Sequence, residues 1–515
     1  MMGGTAIDRT VAPVEARIAL ELDGRPVEVA DDGSSLLEVL RDRLGVRSPK
    51  DGCSPQGQCG CCTVLVDGQP RVSCVTPARR VAGRAVTTLD GLPDAERWAE
   101  ALVATGGSQC GFCTPGIIVR LAAQHGRRDV ERALAAHLCR CTGWRTIVDA
   151  VDALDAPRPP RDLDAAGHRA TIEGRAPQRV GVDVALGRAG FADDTAPAGA
   201  LVAVPDGTGG WAVGETLTAA RAAAGKVQGR RTTASVRHPL AVPDGVWVRT
   251  LRTTWVEPAY LETDASWCEP GGEPVWPLAN GGAFGGKAAS PVGEVARRLA
   301  DEHGRAVRVL LSREDAVHLG PKRPPVAAGI RADGTGVLHV VRTEGIVDAI
   351  RSVAPGLEVE EVDVAGPPTS SALRAAGWAE AAVLLAGLGD DPEVTITSPD
   401  GATATALVAD DGIRVRVACG EPLDEVVLRS YCVGAAHMAL GWVRSEGLAV
   451  DDDGVVHDLT IRSFGILRPA EMPPVEVVIE PGDGPPVNGS DAVFAAVAAS
   501  AWIGQGCPSD WPTRR

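Results

Sequence analysis

A short glycine-rich loop with several cysteines, followed directly by a strand-like run, constrains this chain more than any other feature. The stretch Gly52–Cys74 reads GCSPQGQCGCCTVLVDGQPRVSC and contains five cysteines, and the run Thr63–Val66 within it has the apolar character of a strand. Gly52, Gly57 and Gly60 lack the Cβ atoms that would obstruct a sharply bent backbone. Cysteines gathered by such a backbone predict a metal-binding loop.

The spacing of these cysteines favours an iron–sulfur cluster. Four of them have nearly the spacing of the ligands to a plant-type [2Fe-2S] cluster, C-x4-C-x2-C with a distant fourth cysteine: Cys53, Cys59, Cys62 and Cys74. Five residues rather than four separate the first two, and we expect a turn at Ser54–Pro55 to absorb the extra one. Cys61 is then a spare thiol. A zinc site and a disulfide loop are the alternatives, but zinc favours paired C-x2-C halves and disulfide frameworks belong to short secreted chains.

Composition excludes several classes of function. The chain has 515 residues and a net charge of −16, which argues against nucleic acid or an anionic membrane as the partner. No apolar run approaches the ~18 residues of a membrane span, and the first residues contain no signal peptide. Nine of the 13 cysteines precede residue 142. This asymmetry predicts a protein of the reducing cytoplasm with a metal-bearing N-terminal part.

The residues around the first cysteine loop predict a β-grasp domain over residues 15–92. Alternating apolar residues on both sides of Asp23–Gly24 predict a hairpin over Arg17–Ala30. A capping box formed by Ser35 and Glu38 then begins a helix, which we expect to end at Gly45.

Residues 93–155 read as a helical domain with a second set of cysteines. One helix opens at Gln109–Gly116 with Pro115 in its first turn, and another ends at Cys139–Trp144. The two helix ends present a C-x2-C and a C-x-C motif, so their four thiolates can meet at a second cluster. We expect a proline-rich linker over residues 156–175 and a further region over 176–515, with a sub-boundary near 330–390.

Taken together, the motifs GQCGCCTVLVDG with Cys74, QCGFCTPG and LCRCTGW resemble the two iron–sulfur domains of the xanthine dehydrogenase and aldehyde oxidase family of molybdenum hydroxylases. The resemblance covers residues 17–152. It implies that Cys53, Cys59, Cys62 and Cys74 bind an outer [2Fe-2S] cluster. It also implies an inner cluster, beside a molybdopterin, held by Cys110, Cys113, Cys139 and Cys141. Gln109 and Cys141 match family residues that touch the pterin ring.

The second half resembles the molybdenum-binding part of the same family in shorter pieces. The loop Gly281–Lys287 is similar to the glycine-rich loop at the molybdenum site, and Arg374 lies in a segment similar to a loop near the substrate pocket. The resemblance implies cofactor contacts by Gln109, Gly281, Gly282, Phe284, Gly285, Gly286 and Arg374. A flexible turn and a solvated surface arginine are the alternatives for these two segments.

Two departures from the family concern catalysis. This half is roughly half the usual length of the family's molybdenum subunit, and we find no G-Q-G loop before the final segment. The family has a general-base glutamate near the C-terminus, where this chain offers Asn488–Asp491. Asp491 is then the expected proton acceptor, with a shorter reach, and a solvated turn aspartate is the alternative.

The sequence therefore predicts an α+β multidomain protein: a β-grasp [2Fe-2S] domain, an all-α [2Fe-2S] domain and a shortened α+β molybdopterin-binding-type region. The resemblance implies an oxidoreductase that passes electrons from an aldehyde or N-heterocycle at a molybdopterin through two [2Fe-2S] clusters. No flavin (FAD) domain is recognised, so we expect a separate flavoprotein subunit or another soluble acceptor, and an oligomer. The alternative is a non-catalytic electron-transfer scaffold that docks on a full-length molybdenum subunit.

Overall fold

A mixed five-stranded sheet carries the first cysteine loop. The computed structural model of the chain describes residues 16–124, 129–225, 232–278 and 280–514. The first elements are β1 (Arg17–Leu22), β2 (Arg25–Ala30), α1 (Leu36–Glu38), a π-helical turn (Val39–Arg43), β3 (Thr63–Val66), β4 (Gln69–Val72), 3₁₀ turns (Ser73–Val75 and Ala78–Val81) and β5 (Ala85–Thr87). The strand order is β2-β1-β5-β3-β4, with β1 parallel to β5 and the other neighbours antiparallel.

The local predictions for this domain hold in part. The hairpin around Asp23–Gly24 is confirmed by the antiparallel pairing of β1 with β2. The predicted helix is α-helical only over Leu36–Glu38 and continues as the π-helical turn. Ser35 Oγ accepts a hydrogen bond from the Glu38 amide at 3.2 Å, as a capping residue does. The Glu38 carboxylate does not complete the box but accepts hydrogen bonds from Thr218, which lies 180 residues further along the chain.

Four short helices carry the second set of cysteines. They are α2 (Ala95–Thr105), α3 (Thr114–Ala122), α4 (Val130–Leu134) and α5 (Arg145–Asp152). Pro115 lies in the first turn of α3, as the sequence predicts. Gly106 ends α2 in the left-handed conformation, and Asp129 caps α4 by accepting a hydrogen bond from the Arg132 amide at 3.0 Å. The buried residues of these helices share one hydrophobic core with the C-terminal half.

The predicted linker is partly a packed helix. The next helices are α6 (Leu163–Gly174), α7 (Val182–Ala185) and α8 (Ala192–Thr195). Asp162 caps α6, and within α6 the fully buried Arg169 forms an ion pair with Glu173 at 3.0 Å. Part of the expected linker over 156–175 thus folds as a helix whose Arg169 and Glu173 face other protein, and the linker itself stays a prediction. The domain boundaries themselves stay predictions.

Two four-stranded sheets follow. Their elements are β6 (Leu201–Pro205), β7 (Trp211–Gly214), α9 (Leu217–Ala223), β8 (Arg249–Arg252), β9 (Ala265–Cys268), α10 (Val292–His303), β10 (Val307–Leu310), α11 (Arg313–Leu319), β11 (Val326–Ile330), β12 (Gly336–Val341), α12 (Ile346–Arg351) and β13 (Leu357–Val362). One sheet has the order β7-β6-β10-β9 and the other β13-β12-β11-β8.

The C-terminal elements build a last sheet covered by long helices. They are α13 (Trp378–Ala386), β14 (Val394–Thr397), β15 (Thr403–Ala409), β16 (Gly412–Ala418), α14 (Glu425–Arg444), 3₁₀ turns (Ile461–Phe464 and Pro469–Glu471), β17 (Val475–Ile479) and α15 (Ser490–Ile503). The sheet has the order β14-β15-β16-β17. By length and apolar composition α14 is one helix that could cross a membrane, but 89% of its apolar window is buried inside the protein. It is a buried helix of the core.

Candidate functional site

The cysteines of the first loop gather below the surface beside β3. We call Cys53, Cys59, Cys62 and Cys74 the loop quartet; all four are buried. The Cys53 thiol is hydrogen-bonded to those of Cys59 and Cys74, and the Cys74 thiol also to that of Cys62. The neighbouring Cys59 and Cys74 thiols hold the pKa of Cys53 well below its ordinary value, which favours the thiolate that metals bind.

Backbone geometry supports this gathering of sulfur atoms. The Gln58 amide donates to Cys53 Sγ at 3.4 Å, and the Cys74 amide donates to Cys62 Sγ at 3.5 Å. Ser54 adopts a φ of +36°, within the bend that the sequence predicts for the extra residue. Cys61, expected to be a spare thiol, is buried as well, and its thiol is hydrogen-bonded to that of Cys59. The spare role of Cys61 stays a prediction.

The second set of cysteines forms two close pairs. We call Cys110, Cys113, Cys139 and Cys141 the helical quartet. The sulfur atoms of Cys110 and Cys141 lie 3.7 Å apart, and the Cys113 and Cys139 thiols are hydrogen-bonded to each other. Hydrogen bonding from Cys113 lowers the pKa of the Cys139 thiol to about 6. The structure thus brings together all four cysteines that the sequence assigns to a second cluster.

Both quartets fit a diiron cluster better than a single ion or a disulfide. All 13 cysteines have free thiols. Within the described ranges, no three His, Cys, Asp or Glu side chains share the position of one metal ion. A [2Fe-2S] cluster does not need such a position, because its four thiolates bind two separate irons. The assignment of the eight cysteines as ligands is therefore a proposal that the donor set and its burial support.

The two quartets are in direct backbone contact. The Leu138 amide, next to Cys139, donates a hydrogen bond to the Cys59 carbonyl at 3.0 Å. Gly60 packs so closely on the second domain that a Cβ at this position would lie 2.4 Å from the His137 ring. A cysteine of one quartet is thus joined to the residue beside a cysteine of the other by a single hydrogen bond.

The residues expected to contact molybdopterin also come together, but they contact one another. Gln109 Nε2 donates to the Cys141 carbonyl at 3.1 Å and to Ser430 Oγ at 2.9 Å. In the loop Gly281–Lys287, a Cβ on Gly282 would lie 2.9 Å from the Cβ of Cys110. A Cβ on Gly281 would lie 2.4 Å from the Gln178 side chain. A Cβ on Gly285 would lie 1.9 Å from the Ala372 carbonyl oxygen, and one on Gly286 would lie 2.6 Å from the Tyr260 ring. The glycines allow close protein packing.

Phe284, Arg374 and Asp491 form one buried group. The Arg374 guanidinium lies 4.4 Å from the centre of the Phe284 ring. Arg374 Nε lies 3.0 Å from Asp491 Oδ1, and Arg175 Nη2 lies 2.5 Å from Asp491 Oδ2. Arg374 also donates to Ser490 Oγ at 2.9 Å. The Asp491 carboxylate, the expected proton acceptor, is therefore paired with two arginines.

These contacts leave little space for a molybdopterin. The cavity lined by Phe284 and Arg374 measures about 30 Å³, and the one lined by Gly281 and Gly282 about 10 Å³. The cavity beside Gln109 also measures about 10 Å³. Each volume suits one or two water molecules. The described residues around these side chains thus do not fit a pterin in this arrangement, and we derive no chemical step through one.

Sequence reasoning missed two further buried ion pairs beside this group. Arg140, between Cys139 and Cys141, forms a bidentate pair with Glu446 at 2.6 and 2.7 Å. Arg323 pairs with Glu380 at 2.7 and 2.9 Å. Only the position of Arg140 inside the C-x-C motif was a signal in the sequence. Its partner lies 306 residues away, beyond the reach of any local pattern.

Comparisons with known proteins match the N-terminal part at sequence level. Residues 20–85 match the family model described as "2Fe-2S iron-sulfur cluster binding domain", and residues 88–152 match the model described as "[2Fe-2S] binding domain". The chain is 38% identical over 146 residues to the xanthine dehydrogenase iron-sulfur-binding subunit of Escherichia coli O157:H7, covering 26% of this chain and 91% of that subunit. It therefore contains two [2Fe-2S]-binding domains.

A larger relative matches the same part of the chain. The aldehyde oxidoreductase of Megalodesulfovibrio gigas is 42% identical over 150 residues, which are 26% of this chain and only 16% of that protein. In overall fold, the structure is similar to that of the aldehyde oxidoreductase from Desulfovibrio gigas, with a TM-score of 0.68 and 15% identity. That alignment covers 95% of this chain and 97% of the other. The chain belongs to the xanthine dehydrogenase and aldehyde oxidase family of molybdenum hydroxylases, and its overall fold is α+β.

Proposed function

We propose that this chain transfers electrons through two [2Fe-2S] clusters, one held by the loop quartet and one by the helical quartet. The observation that carries the proposal is the hydrogen bond from the Leu138 amide to the Cys59 carbonyl. Each cluster, when bound, would be a redox centre that accepts one electron at a time. The residues of the chain bury both centres, exclude water from them and hold the two quartets in contact.

The electrons come from oxidation of an aldehyde or an N-heterocycle at a molybdopterin, and they leave to a separate flavoprotein subunit or another soluble acceptor. Relatives support this, because they include both an aldehyde oxidoreductase and the iron-sulfur-binding subunit of a xanthine dehydrogenase. The free thiols of both quartets suit the reducing cytoplasm.

The molybdopterin belongs to a partner, a full-length molybdenum subunit on which this chain docks. Two observations favour this placement over the C-terminal half of the chain itself. The cavities at Phe284, Arg374 and Gly281 hold at most a few water molecules. The Asp491 carboxylate, which a hydroxylase would need as a free base, is paired with Arg374 and Arg175.

A second candidate function is hydroxylation within this chain. The similarity of overall fold to an aldehyde oxidoreductase favours it, as does the packing of Gly282 on Cys110. In that case the loop Gly281–Lys287 and Arg374 would separate to admit the cofactor.

Metal and pterin analysis of the anaerobically purified chain tests both candidates. We expect about four irons per chain, two one-electron reduction steps and no molybdenum. The variant Cys53→Ser should lose about half of the iron. The matched control Cys268→Ser, a buried cysteine outside both quartets, should retain it. An unchanged iron content in the Cys53→Ser variant would refute the proposal. Stoichiometric molybdenum with turnover of an aldehyde would establish the second candidate instead.

A further inference from the structure

Among the described residues, the buried arginine at the start of α11 has no carboxylate partner. Arg313 is 0% exposed, and Nη2 donates to the carbonyls of Gly52 at 2.7 Å and Leu261 at 3.0 Å. In the described part of the chain, its Nε and Nη1 find no hydrogen-bond acceptor, and no carboxylate oxygen lies within 4.0 Å of its guanidinium. A buried guanidinium is costly unless a negative charge compensates it.

One of the two carbonyls that bind this arginine belongs to the first cysteine loop, beside the loop quartet. Gly52, whose carbonyl accepts from Arg313, packs against the sulfur atoms, since a Cβ on Gly52 would lie 3.1 Å from both Cys59 Sγ and Cys61 Sγ. The guanidinium is thus bonded to the backbone segment against which the sulfurs lie.

A second arginine binds the same loop from another part of the C-terminal half. Arg462 Nε donates to the Gln58 carbonyl at 3.0 Å, and the Gln58 amide in turn donates to Cys53 Sγ at 3.4 Å. Arg462 is half-buried. Two cations of the C-terminal half therefore hold the backbone of the first cysteine loop.

The charge of the cluster explains why cations are needed there. Four thiolates, two sulfides and two ferric ions sum to −2, and one-electron reduction makes the sum −3. Away from water, a nearby positive charge stabilises the −3 state more than the −2 state.

We propose that Arg313, assisted by Arg462, is the counter-charge of the cluster held by the loop quartet and raises its reduction potential. This inference rests on the proposed binding of a cluster by that quartet. The inference assigns the C-terminal half a role in electron transfer. This half makes the cluster of the loop quartet easier to reduce than it would be in the N-terminal domains alone.

A purely structural role for Arg313 is the competing explanation, because its hydrogen bonds also clamp Gly52 and Leu261. The two roles differ in what a conservative variant does. Arg313→Lys keeps the charge but not the geometry of the clamp, whereas Arg313→Gln keeps a donor but removes the charge.

Redox titration of the two clusters, followed by their EPR signals, tests the inference in the full chain. At a fixed potential, Arg313→Gln should lower the ratio of reduced to oxidised loop cluster about tenfold, a shift of about 59 mV for one electron. Arg313→Lys should retain most of the wild-type potential. The exposed Arg342→Gln is the control and should change nothing. The helical cluster should shift less than the loop cluster.

An Arg313→Gln protein with full iron and the wild-type potential would overturn the inference while leaving the proposed function intact. If that variant loses its iron, Arg462→Gln decides: a fall of about threefold in the same ratio supports the inference, and an unchanged ratio overturns it. A wild-type chain without iron in the loop quartet would refute the proposed function instead.

Discussion

The ion pair between Asp491 and Arg374 allows a sharp test of whether this end of the chain is structural or catalytic. Both side chains are 3% exposed, with Arg374 Nε 3.0 Å from Asp491 Oδ1. Substituting Asp491→Asn keeps the shape but removes the charge. Arg374 would keep only neutral partners, the Ser490 hydroxyl, the Met438 sulfur and the Phe284 ring. Loss of one partner from a buried pair costs about 3–5 kcal/mol, so we expect a loss of that size in the free energy of unfolding.

Urea unfolding at pH 7, followed by tryptophan fluorescence, measures this loss. Arg374→Met should cost less, because Asp491 keeps Arg175 as a partner, and the double variant should cost clearly less than the sum, because no buried guanidinium is then left without a carboxylate. Asp363→Asn is the control, since its pair with Arg342 is exposed and should contribute under about 1 kcal/mol. A change below about 0.5 kcal/mol for Asp491→Asn would refute the structural reasoning. If that variant were stable but lost turnover, Asp491 would be the base that the family resemblance implies.

Three further predictions concern the contacts between domains. Gly60→Ala should lower the free energy of unfolding by at least about 2 kcal/mol and weaken iron binding, because φ is +77° and the new Cβ would meet the His137 ring. Gly68→Ala is the control: its φ is +74° but no atom lies near the new Cβ, so it should show only the loss that comes from backbone strain. Burial lowers the pKa of His437 to about 4, so the stability this residue contributes is present above pH 6.5 and lost as the pH falls towards 4. From pH 7 to pH 5 the loss should be about 2 kcal/mol, and His437→Gln should remove that part of the pH dependence in urea titrations. Glu446→Gln leaves the Arg140 guanidinium buried without its carboxylate and should cost about 3 kcal/mol; an unchanged unfolding midpoint would contradict this.

Features decided by neighbours in the sequence were predictable. The hairpin at Asp23–Gly24 and the helix opened by Pro115 follow from turn and capping preferences that act over a few residues. Cysteine spacing likewise indicated two clusters. The chain has one C-x2-C motif at Cys59 and Cys62 and another at Cys110 and Cys113, and two intervening residues are too few to hold the thiols of either pair far apart. The family relationship rests on these same local patterns.

Features decided by distant partners were not predictable in this way. Glu38 leaves its capping box for Thr218, 180 residues away, and the helix predicted to end at Gly45 is α-helical only over Leu36–Glu38. Residues of the expected linker fold as α6, because Arg169 finds acceptors in the C-terminal half. A local pattern carries no information about such partners.

The amino-acid sequence by itself determined the spacing of the cysteines that we propose as ligands, the order of the iron–sulfur domains and the family. Only the tertiary structure decided which partners the charged residues of the second half contact. Arg374 meets Asp491 from 117 positions away, and Arg313 reaches Gly52 from 261 positions away. The physical reason is burial: a charge removed from water must find its compensation within the fold, and the fold alone determines which charge is near.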